Sequence, residues 1–400
     1  MVPIFHHSNI PLFQVGDRRL STDSDLVPAK NEFMLHVIIS LLILSGIGAL
    51  LALLLELADS YLADYGERRI LINEEKDLFV TGGKPLLFTL MEQGIFIPSA
   101  CGGKGTCSYC KVQVHEGGGP VLPTETPYLS PEEVKADVRL SCQVKVKNDL
   151  KIEIPEELFL VKEYRVKVER MEDLTPKIKG LHLRVIDPPE GIAFKAGQYV
   201  QLEVPKYKRT SGPEYRAYSI SSDADQHDRL ELVITRVPEG AVTTYVHEYL
   251  KEGEELRATG PYGSFYLRDS DRDILLIATG SGMAPIKSIL HQLANHGIQR
   301  TTTFFFGART QKDLYYVEQF RDWEKTLPQF RFVPALSRLA PEDPWDGEKG
   351  RVTDLIHKYI PDKPNVDVYI CGAPPMVESC VELLTKKGVP EDRIYFDKFE

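Results

Sequence analysis

The chain has no surplus of positive charge, no internal repeat and no low-complexity tract. Its 48 Lys and Arg stand against 58 Asp and Glu, a net charge of −10. That balance argues against nucleic acid as a partner, because phosphate contacts need clustered basic residues. It serves solubility instead. Cysteine is scarce, six in 400 residues. A disulfide scaffold is the wrong reading, since such scaffolds are short secreted chains dense in cysteine. The six are also unevenly placed. Cys101, Cys107, Cys110 and Cys142 cluster, while Cys371 and Cys380 lie near the far end.

Charge is missing altogether from one stretch. Residues 33–55 read FMLHVIISLLILSGIGALLALLL, with His36 as the one titratable group, and fifteen of these 23 residues are Leu, Ile, Val or Phe. As a helix the stretch is about 34 Å long, enough to cross a hydrocarbon core of about 30 Å. A signal peptide has a shorter apolar region nearer the N-terminus. Residues 33–57 are therefore expected to be a transmembrane helix in contact with the lipid bilayer. Basic residues flank both ends (Arg18, Arg19 and Lys30 before, Arg68 and Arg69 after), so charge leaves the orientation open or weakly favours a cytoplasmic N-terminus, and the cofactor sets it instead.

A length of 400 residues implies two to four domains. Residues 1–32 read as a tail, followed by the helix and a polar helical stalk. Residues 58–157 mix short strands with Gly-rich loops and hold the four clustered cysteines. Residues 158–268 carry short alternating strands at regular spacing, which predict an antiparallel β-barrel. Residues 269–400 alternate buried-type strands with helices, which predicts a parallel α/β sheet with helices on both faces.

Four motifs carry chemistry. Cys101-x5-Cys107-x2-Cys110-x31-Cys142 supplies four thiolates, two for each iron of a 2Fe–2S cluster, with three ligands in one Gly-rich loop. Structural zinc needs two C-x2-C pairs, and only one is present. The plant-type spacing has x4 where this chain has x5. Arg216-Ala217-Tyr218-Ser219 offers a cation for a pyrophosphate, a ring for a flavin face and a hydroxyl for a ring nitrogen. The same four residues also suit an ordinary surface strand. Gly240 with Thr243 and Thr244 makes either a phosphate cradle or a helix N-cap. Gly280-Ser281-Gly282-Met283-Ala284-Pro285 follows a buried strand as a dinucleotide turn does, with Pro285 early in the next helix. Cys371 and Gly372 open CGAPPM at another strand end, where α/β sheets bind ligands. A buried strand-end thiol is the plain alternative for Cys371, and Cys380 reads as core.

In this order, RAYS, GSGMAP and CGAPPM resemble the ferredoxin–NADP reductase superfamily fused to a ferredoxin domain. CGGKGTCSYC, FFFGARTQKDLYYVEQF and PEDPWDGEKGRV are similar to the F subunits of the sodium-translocating NADH:quinone oxidoreductases. The resemblance covers residues 33–400. It implies a multidomain fold: one transmembrane helix, a β-grasp ferredoxin, an antiparallel barrel for FAD and an α/β domain for NADH. It implies FAD and a 2Fe–2S cluster as cofactors, NADH as substrate, and membrane subunits of a quinone-reductase complex as partners. Cys101, Cys107, Cys110 and Cys142 would hold the cluster. Arg216, Tyr218 and Ser219 would contact FAD, and Gly280, Gly282 and Cys371 would border the nicotinamide nucleotide. Phe399 matches the aromatic that covers the flavin in this superfamily. Two features depart from the family: a longer N-terminal tail and a shorter FAD region.

The residues around the second nucleotide strand are mixed in charge, with Arg309 and Lys312 against Asp313 and Glu318, which favours NADH over NADPH; Ser337-Arg338 points the other way. NADH places the redox domains on the cytoplasmic side of the membrane. Hydride arrives as two electrons and an iron–sulfur cluster takes one, so FAD stands between them. No general base is required. Two alternatives are an NADH-dependent reductase for a mono- or dioxygenase, and a membrane-bound electron carrier or redox sensor without turnover. The helix and the x5 spacing separate the chain from the first. The presence of all the nucleotide motifs separates it from the second.

Overall fold

The computed structural model describes residues 26–62, 65–297, 300–339 and 344–399. The expected tail falls mostly on residues 1–25, outside the described residues. The chain divides into two units, residues 1–64 and 65–400.

In the first unit, α1 (Leu26–Leu62) is a single helix of 37 residues. It begins earlier than the sequence pattern implied, so residues 26–32 are helix rather than tail. Pro28 permits this because a proline in the first turn gives up an amide that has no partner there. The polar stalk to Leu62 continues the same helix, so residues 58–62 belong to this unit and not to the ferredoxin domain. Residues Met34–Glu56 have a mean hydropathy of 2.8, and all their side chains are exposed. A helix apolar all round is suited to lipid rather than to a soluble core.

The second unit is built on three sheets. The first contains β1 (Glu67–Ile72), β2 (Lys76–Thr81), β3 (Lys111–Glu116), β4 (Val138–Leu140) and β5 (Leu150–Glu153) in the order β2-β1-β5-β3-β4, with α2 (Leu86–Glu92) and the short α3 (Pro131–Lys135). β1 and β5 pair in parallel and the other neighbours are antiparallel. Ile70, Ile72, Leu86, Leu90 and Leu140 fill its core.

The second sheet contains β6 (Lys162–Thr175), β7 (Ile178–Asp187), β8 (Tyr199–Val204), β9 (Glu214–Ser219), β10 (Arg229–Thr235) and β11 (Glu255–Tyr262), with α4 (Ala241–Glu248). All its neighbours are antiparallel in the order β10-β7-β6-β11-β8-β9. A bridge from Ile220 to Leu232 joins β9 back to β10 and closes the barrel. Tyr164, Val166 and Val168 on β6 point inward at every second position, as the alternating sequence required.

The third sheet is wholly parallel: β12 (Asp273–Thr279), β13 (Thr302–Ala308), β14 (Phe330–Leu336), β15 (Glu348–Lys349), β16 (Val366–Gly372) and β17 (Ile394–Lys398), in the order β15-β14-β13-β12-β16-β17. Ile274, Leu276, Phe304 and Phe306 pack on one face with α5 (Met283–Asn295) and α6 (Val317–Thr326). Leu275, Ile277 and Phe305 pack on the other with α7 (Val352–Tyr359) and α8 (Pro374–Lys386). Burial on both faces explains why these strands read as unbroken apolar runs. Cys380 is core, as read, and touches the Met376 sulfur at 3.7 Å.

One buried ion pair organises the segment before the last clustered cysteine. Arg139 and Glu125 are both buried, 2.6 Å apart. Arg139 also donates to the carbonyls of Gly118, Gly119 and Pro120, and Glu125 accepts from the Leu122 and Leu140 amides. Burial works to raise the Glu125 carboxyl, but Arg139 and the two amides outweigh it and hold it below its ordinary 4.5. Its contribution is therefore present above that value and lost as pH falls through the lower, folded one. Glu125→Ala strands a buried guanidinium and is expected to cost about 3–5 kcal/mol. Thermal unfolding should show a loss at pH 7 that narrows in acid.

Candidate functional site

The loop between α2 and β3 holds three of the clustered cysteines. Gly102, Gly103 and Gly105 have φ of +69°, +80° and +75°, so the tight winding needs residues without a β carbon. The four thiols come together as two pairs, Cys101 with Cys107 and Cys110 with Cys142. Among the described residues no three His, Cys, Asp or Glu groups converge on a single ion position. Paired thiols match a centre of two metals, each held by two ligands. Within the pairs, hydrogen bonding from Cys107 lowers the Cys101 thiol to about 3, and bonding from Cys110 lowers Cys142 to about 7. The Gln143 amide donates to the Cys142 sulfur at 3.6 Å. The Ser141 hydroxyl is buried beside the Cys110 sulfur and bonds to it. Two thiol pairs, a glycine-wound backbone and a hydroxyl beside one sulfur fit a 2Fe–2S cluster.

This loop lies directly on β9, the strand of the RAYS motif. A β carbon on Gly102 would sit 2.4 Å from Arg216 Nη1 and 2.9 Å from the Tyr215 carbonyl. Arg216 is folded along its own strand, donating to the Tyr215 carbonyl at 2.6 Å and to Glu214 at 3.2 Å. Glu214 also pairs with Lys104 of the cluster loop at 3.1 Å. The guanidinium read as a pyrophosphate ligand is thus bound at the cluster side. Ala217 packs at the seam with Tyr199 and Tyr262. Tyr218 has a partly exposed ring, yet its hydroxyl is buried and unpartnered among the described residues. Ser219 ends the strand and is buried.

Gly240 precedes α4, and its missing side chain leaves room for Thr243 Oγ1, which a β carbon would approach to 2.6 Å. Thr243 is not an N-cap: its hydroxyl turns back to the Val237 and Gly240 carbonyls, each at 3.3 Å. Thr244 accepts from Arg209 at 3.4 Å. The first-turn amides of α4 could receive a phosphate. With the orphaned Tyr218 hydroxyl, they fit a flavin nucleotide.

The dinucleotide turn follows β12. Gly280 has φ of +55° with open space where a side chain would be, and Gly282 lies against β16, 2.2 Å from the Cys371 carbonyl if given a β carbon. Met283 is fully buried in the core, so its side chain offers nothing to a nucleotide, and Pro285 is the third residue of α5. Cys371 is fully buried, and burial pushes its thiol well above the usual range. Gly372 accepts the Phe399 amide at 3.0 Å, which fixes Phe399 at the same strand end. Gly280, Gly282, Cys371, Gly372 and Phe399 are thus brought together. The Arg338 amide donates to the Arg309 carbonyl at 2.8 Å, placing both residues beyond β13 and β14.

Several contacts were not legible in the motifs. Tyr109, between Cys107 and Cys110, packs edge-on against Tyr199 at 6.2 Å, and Tyr199 stacks on Tyr262 at 5.4 Å. The Tyr109 hydroxyl also donates to Asp397 on β17 at 3.3 Å. Burial raises that carboxyl to about 6. The Tyr315 hydroxyl donates to the Gly280 carbonyl at 2.8 Å.

Gly102→Ala tests the seam. Gly102 and Gly119 share a positive φ, but only Gly102 has atoms in the way. Gly119→Ala should cost about 1–2 kcal/mol from the backbone alone. Thermal unfolding should show a larger loss for Gly102→Ala; equal losses would mean the two domains part easily.

Residues 72–147 match a 2Fe-2S iron-sulfur cluster binding domain, residues 165–266 an oxidoreductase FAD-binding domain, and residues 276–382 an oxidoreductase NAD-binding domain. Among solved structures, the chain is similar to an Amycolatopsis cytochrome P450 reductase, with 30% identity, a TM-score of 0.68, and 83% of this chain and 98% of that one covered. It is also similar to a ferredoxin reductase in carbazole 1,9a-dioxygenase, at 26% identity and a TM-score of 0.65 over 84% and 99% of the two chains. The F subunit of the Na(+)-translocating NADH-quinone reductase of Neisseria gonorrhoeae is 34% identical over 407 positions, covering 91% of this chain and all of that protein. Its counterpart in Methylococcus capsulatus is 32% identical, covering 92% and all. At this identity and coverage, the chain belongs to the family of the F subunits of Na(+)-translocating NADH-quinone reductases.

Proposed function

We propose that this chain oxidises NADH and feeds electrons to a membrane quinone-reductase complex, held there by α1 with residues 65–400 on the cytoplasmic side. One observation carries the reading: the cluster loop lies on the flavin strand, within the same compact unit as the dinucleotide turn. FAD held here would supply the means to take a hydride's two electrons and release them singly to an iron–sulfur centre.

The residues of the chain position these groups. Gly280 and the first turn of α5 receive the NADH pyrophosphate. Gly282 lets that turn close onto β16, and Cys371 and Gly372 border the nicotinamide. Ser219 offers its hydroxyl to a ring nitrogen of the flavin. Tyr218 gives its buried hydroxyl to the same nucleotide, Gly240, Thr243 and Thr244 form the turn that receives its phosphates, and Phe399 covers its ring. Cys101, Cys107, Cys110 and Cys142 hold the iron. The buried Cys371 thiol stays protonated and carries no charge into the site. The relatives are named for sodium translocation. One helix offers no ion path, so translocation falls to partner subunits.

The P450 and dioxygenase reductases favour a second reading, an oxygenase reductase, since they share most of the body. The exposed apolar helix is the feature that favours a membrane partner.

Full-length protein in detergent, mixed anaerobically with NADH, should lose its flavin absorbance and gain the EPR signal of one reduced 2Fe–2S centre. Folded protein holding neither flavin nor iron would falsify the reading. Membranes carrying the chain should reduce added quinone with NADH; reduction of an oxygenase alone would favour the second reading. Protease should cut residues 65–400 from inverted vesicles and spare them in right-side-out ones.

Ser219→Ala should slow flavin reduction about tenfold while leaving flavin content unchanged. Tyr218→Phe should weaken FAD binding by about two- to tenfold, yet leave the flavin-free protein no less stable, since the hydroxyl it removes has no partner there. Titration of apoprotein with FAD, beside thermal unfolding without it, checks both halves.

A further inference from the structure

The barrel and the nucleotide sheet meet along α5, and the middle of that seam is charged. Glu231 on β10 is buried, with Lys287 Nζ 2.6 Å from one carboxylate oxygen. The other oxygen accepts the Tyr316 hydroxyl at 2.7 Å and the Ser221 hydroxyl at 3.1 Å. The Lys287 ammonium lies 4.5 Å from the centre of the Tyr316 ring. Tyr316 holds φ of +57°, a backbone conformation that side chains other than glycine disfavour. Around this core, Ser288 donates to the Ser222 carbonyl at 2.8 Å and Asn295 to Asp223 at 2.7 Å.

The connections at each end matter most. Ser221 is two residues beyond Ser219, the end of the flavin strand. Lys287 sits on the helix that begins at the dinucleotide turn. Tyr315, next to Tyr316, grips the carbonyl of Gly280 in that turn. A carboxylate on one domain thus ties the flavin strand to the nucleotide turn through one side chain on each neighbouring element.

A buried ion pair is a poor device for stability, because desolvation offsets the attraction and apolar residues of equal size serve as well or better. Its best-attested use is to specify register. We propose that Glu231, Lys287 and Tyr316 form a clamp that sets the nicotinamide at hydride-transfer distance from the flavin, acting as positioning residues that touch neither. The inference rests on the NADH-oxidising reading above. Hydride transfer is steep in distance and angle, so a small rotation at this seam acts on the chemical step more than on nucleotide affinity.

The test uses full-length, flavin-loaded protein in detergent, with flavin content measured first and NADH mixed in under anaerobic stopped flow. Tyr316→Phe is isosteric and leaves the ion pair in place. Glu231→Leu/Lys287→Leu, made together with Ser221→Ala and Tyr316→Phe, removes both charges and the two hydroxyls bonded to them, so no buried polar group is stranded and stability should stay close to the parent's. Flavin reduction at saturating NADH should slow by about fivefold in the first and about tenfold or more in the second. The NADH concentration for half-maximal rate should change by less than about twofold, with Tm and flavin content held. The long-wavelength charge-transfer absorbance of nicotinamide over flavin should weaken in step with the rate. Wild-type rates with a full charge-transfer band would overturn the clamp, as would slowing that merely follows lost flavin or lowered Tm. A parent protein that binds flavin but is not reduced by NADH overturns the underlying reading, independently of the variants.

Discussion

Two backbones that touch with no β carbon between them decide the working geometry. Gly282 lies against the Cys371 carbonyl, and Gly102 lies against Arg216 and the Tyr215 carbonyl. The first contact seats the dinucleotide turn on the end of β16, where the nicotinamide is proposed to lie. The second seats the cluster loop on the flavin strand. Electron transfer falls steeply with separation, and hydride transfer more steeply still, so the three groups must be near one another. A methyl group at either glycine would force the layers apart. On the proposed reading the two glycines act as the spacers of the redox chain, and the sheets behind them hold those contacts rigid.

Much of this architecture was legible in the residues. Strand periodicity in 158–268 and unbroken apolar runs after 272 follow from burial on one face in the barrel and on both faces in the parallel sheet. The cysteine spacing identified its loop because few other structures need four thiols in that layout. Short elements were less legible. β4 and β15 carry too few residues for a period to emerge, β2 buries only Val80 and so shows little alternation, and β17 is broken by Asp397 and Lys398. The early start of α1 was hidden because Pro28 reads as a loop residue, although a first turn accepts it.

Residue roles were harder to read than elements. Arg216 has the right chemistry for a pyrophosphate, but its guanidinium is held by Glu214 and the Tyr215 carbonyl. Thr243 looked like a cap or a cradle hydroxyl and turned back on its own loop. Met283 belongs to the turn by position and to the core by side chain. Long-range partners are invisible to spacing: Glu231 and Lys287 lie 56 residues apart, and Tyr109 and Asp397 lie 288 apart. Over 407 aligned positions, the relatives use their full length against 91% of this chain, so they are longer through the matched region.

Tyr109 has a bearing on how such proteins can be recombined. It stands inside the cysteine loop, yet it leans on Tyr199 of the barrel and bonds to Asp397 of the nucleotide sheet. Domain order makes the chain look like a string of interchangeable modules. The tyrosine makes the ferredoxin part a keystone, cut to two neighbours at once. A cluster domain borrowed from a cousin would bring its own loop and meet a barrel shaped for another. Modular in its descent, the redox body is no longer modular in its surfaces, and any graft must carry all three sides of that contact together.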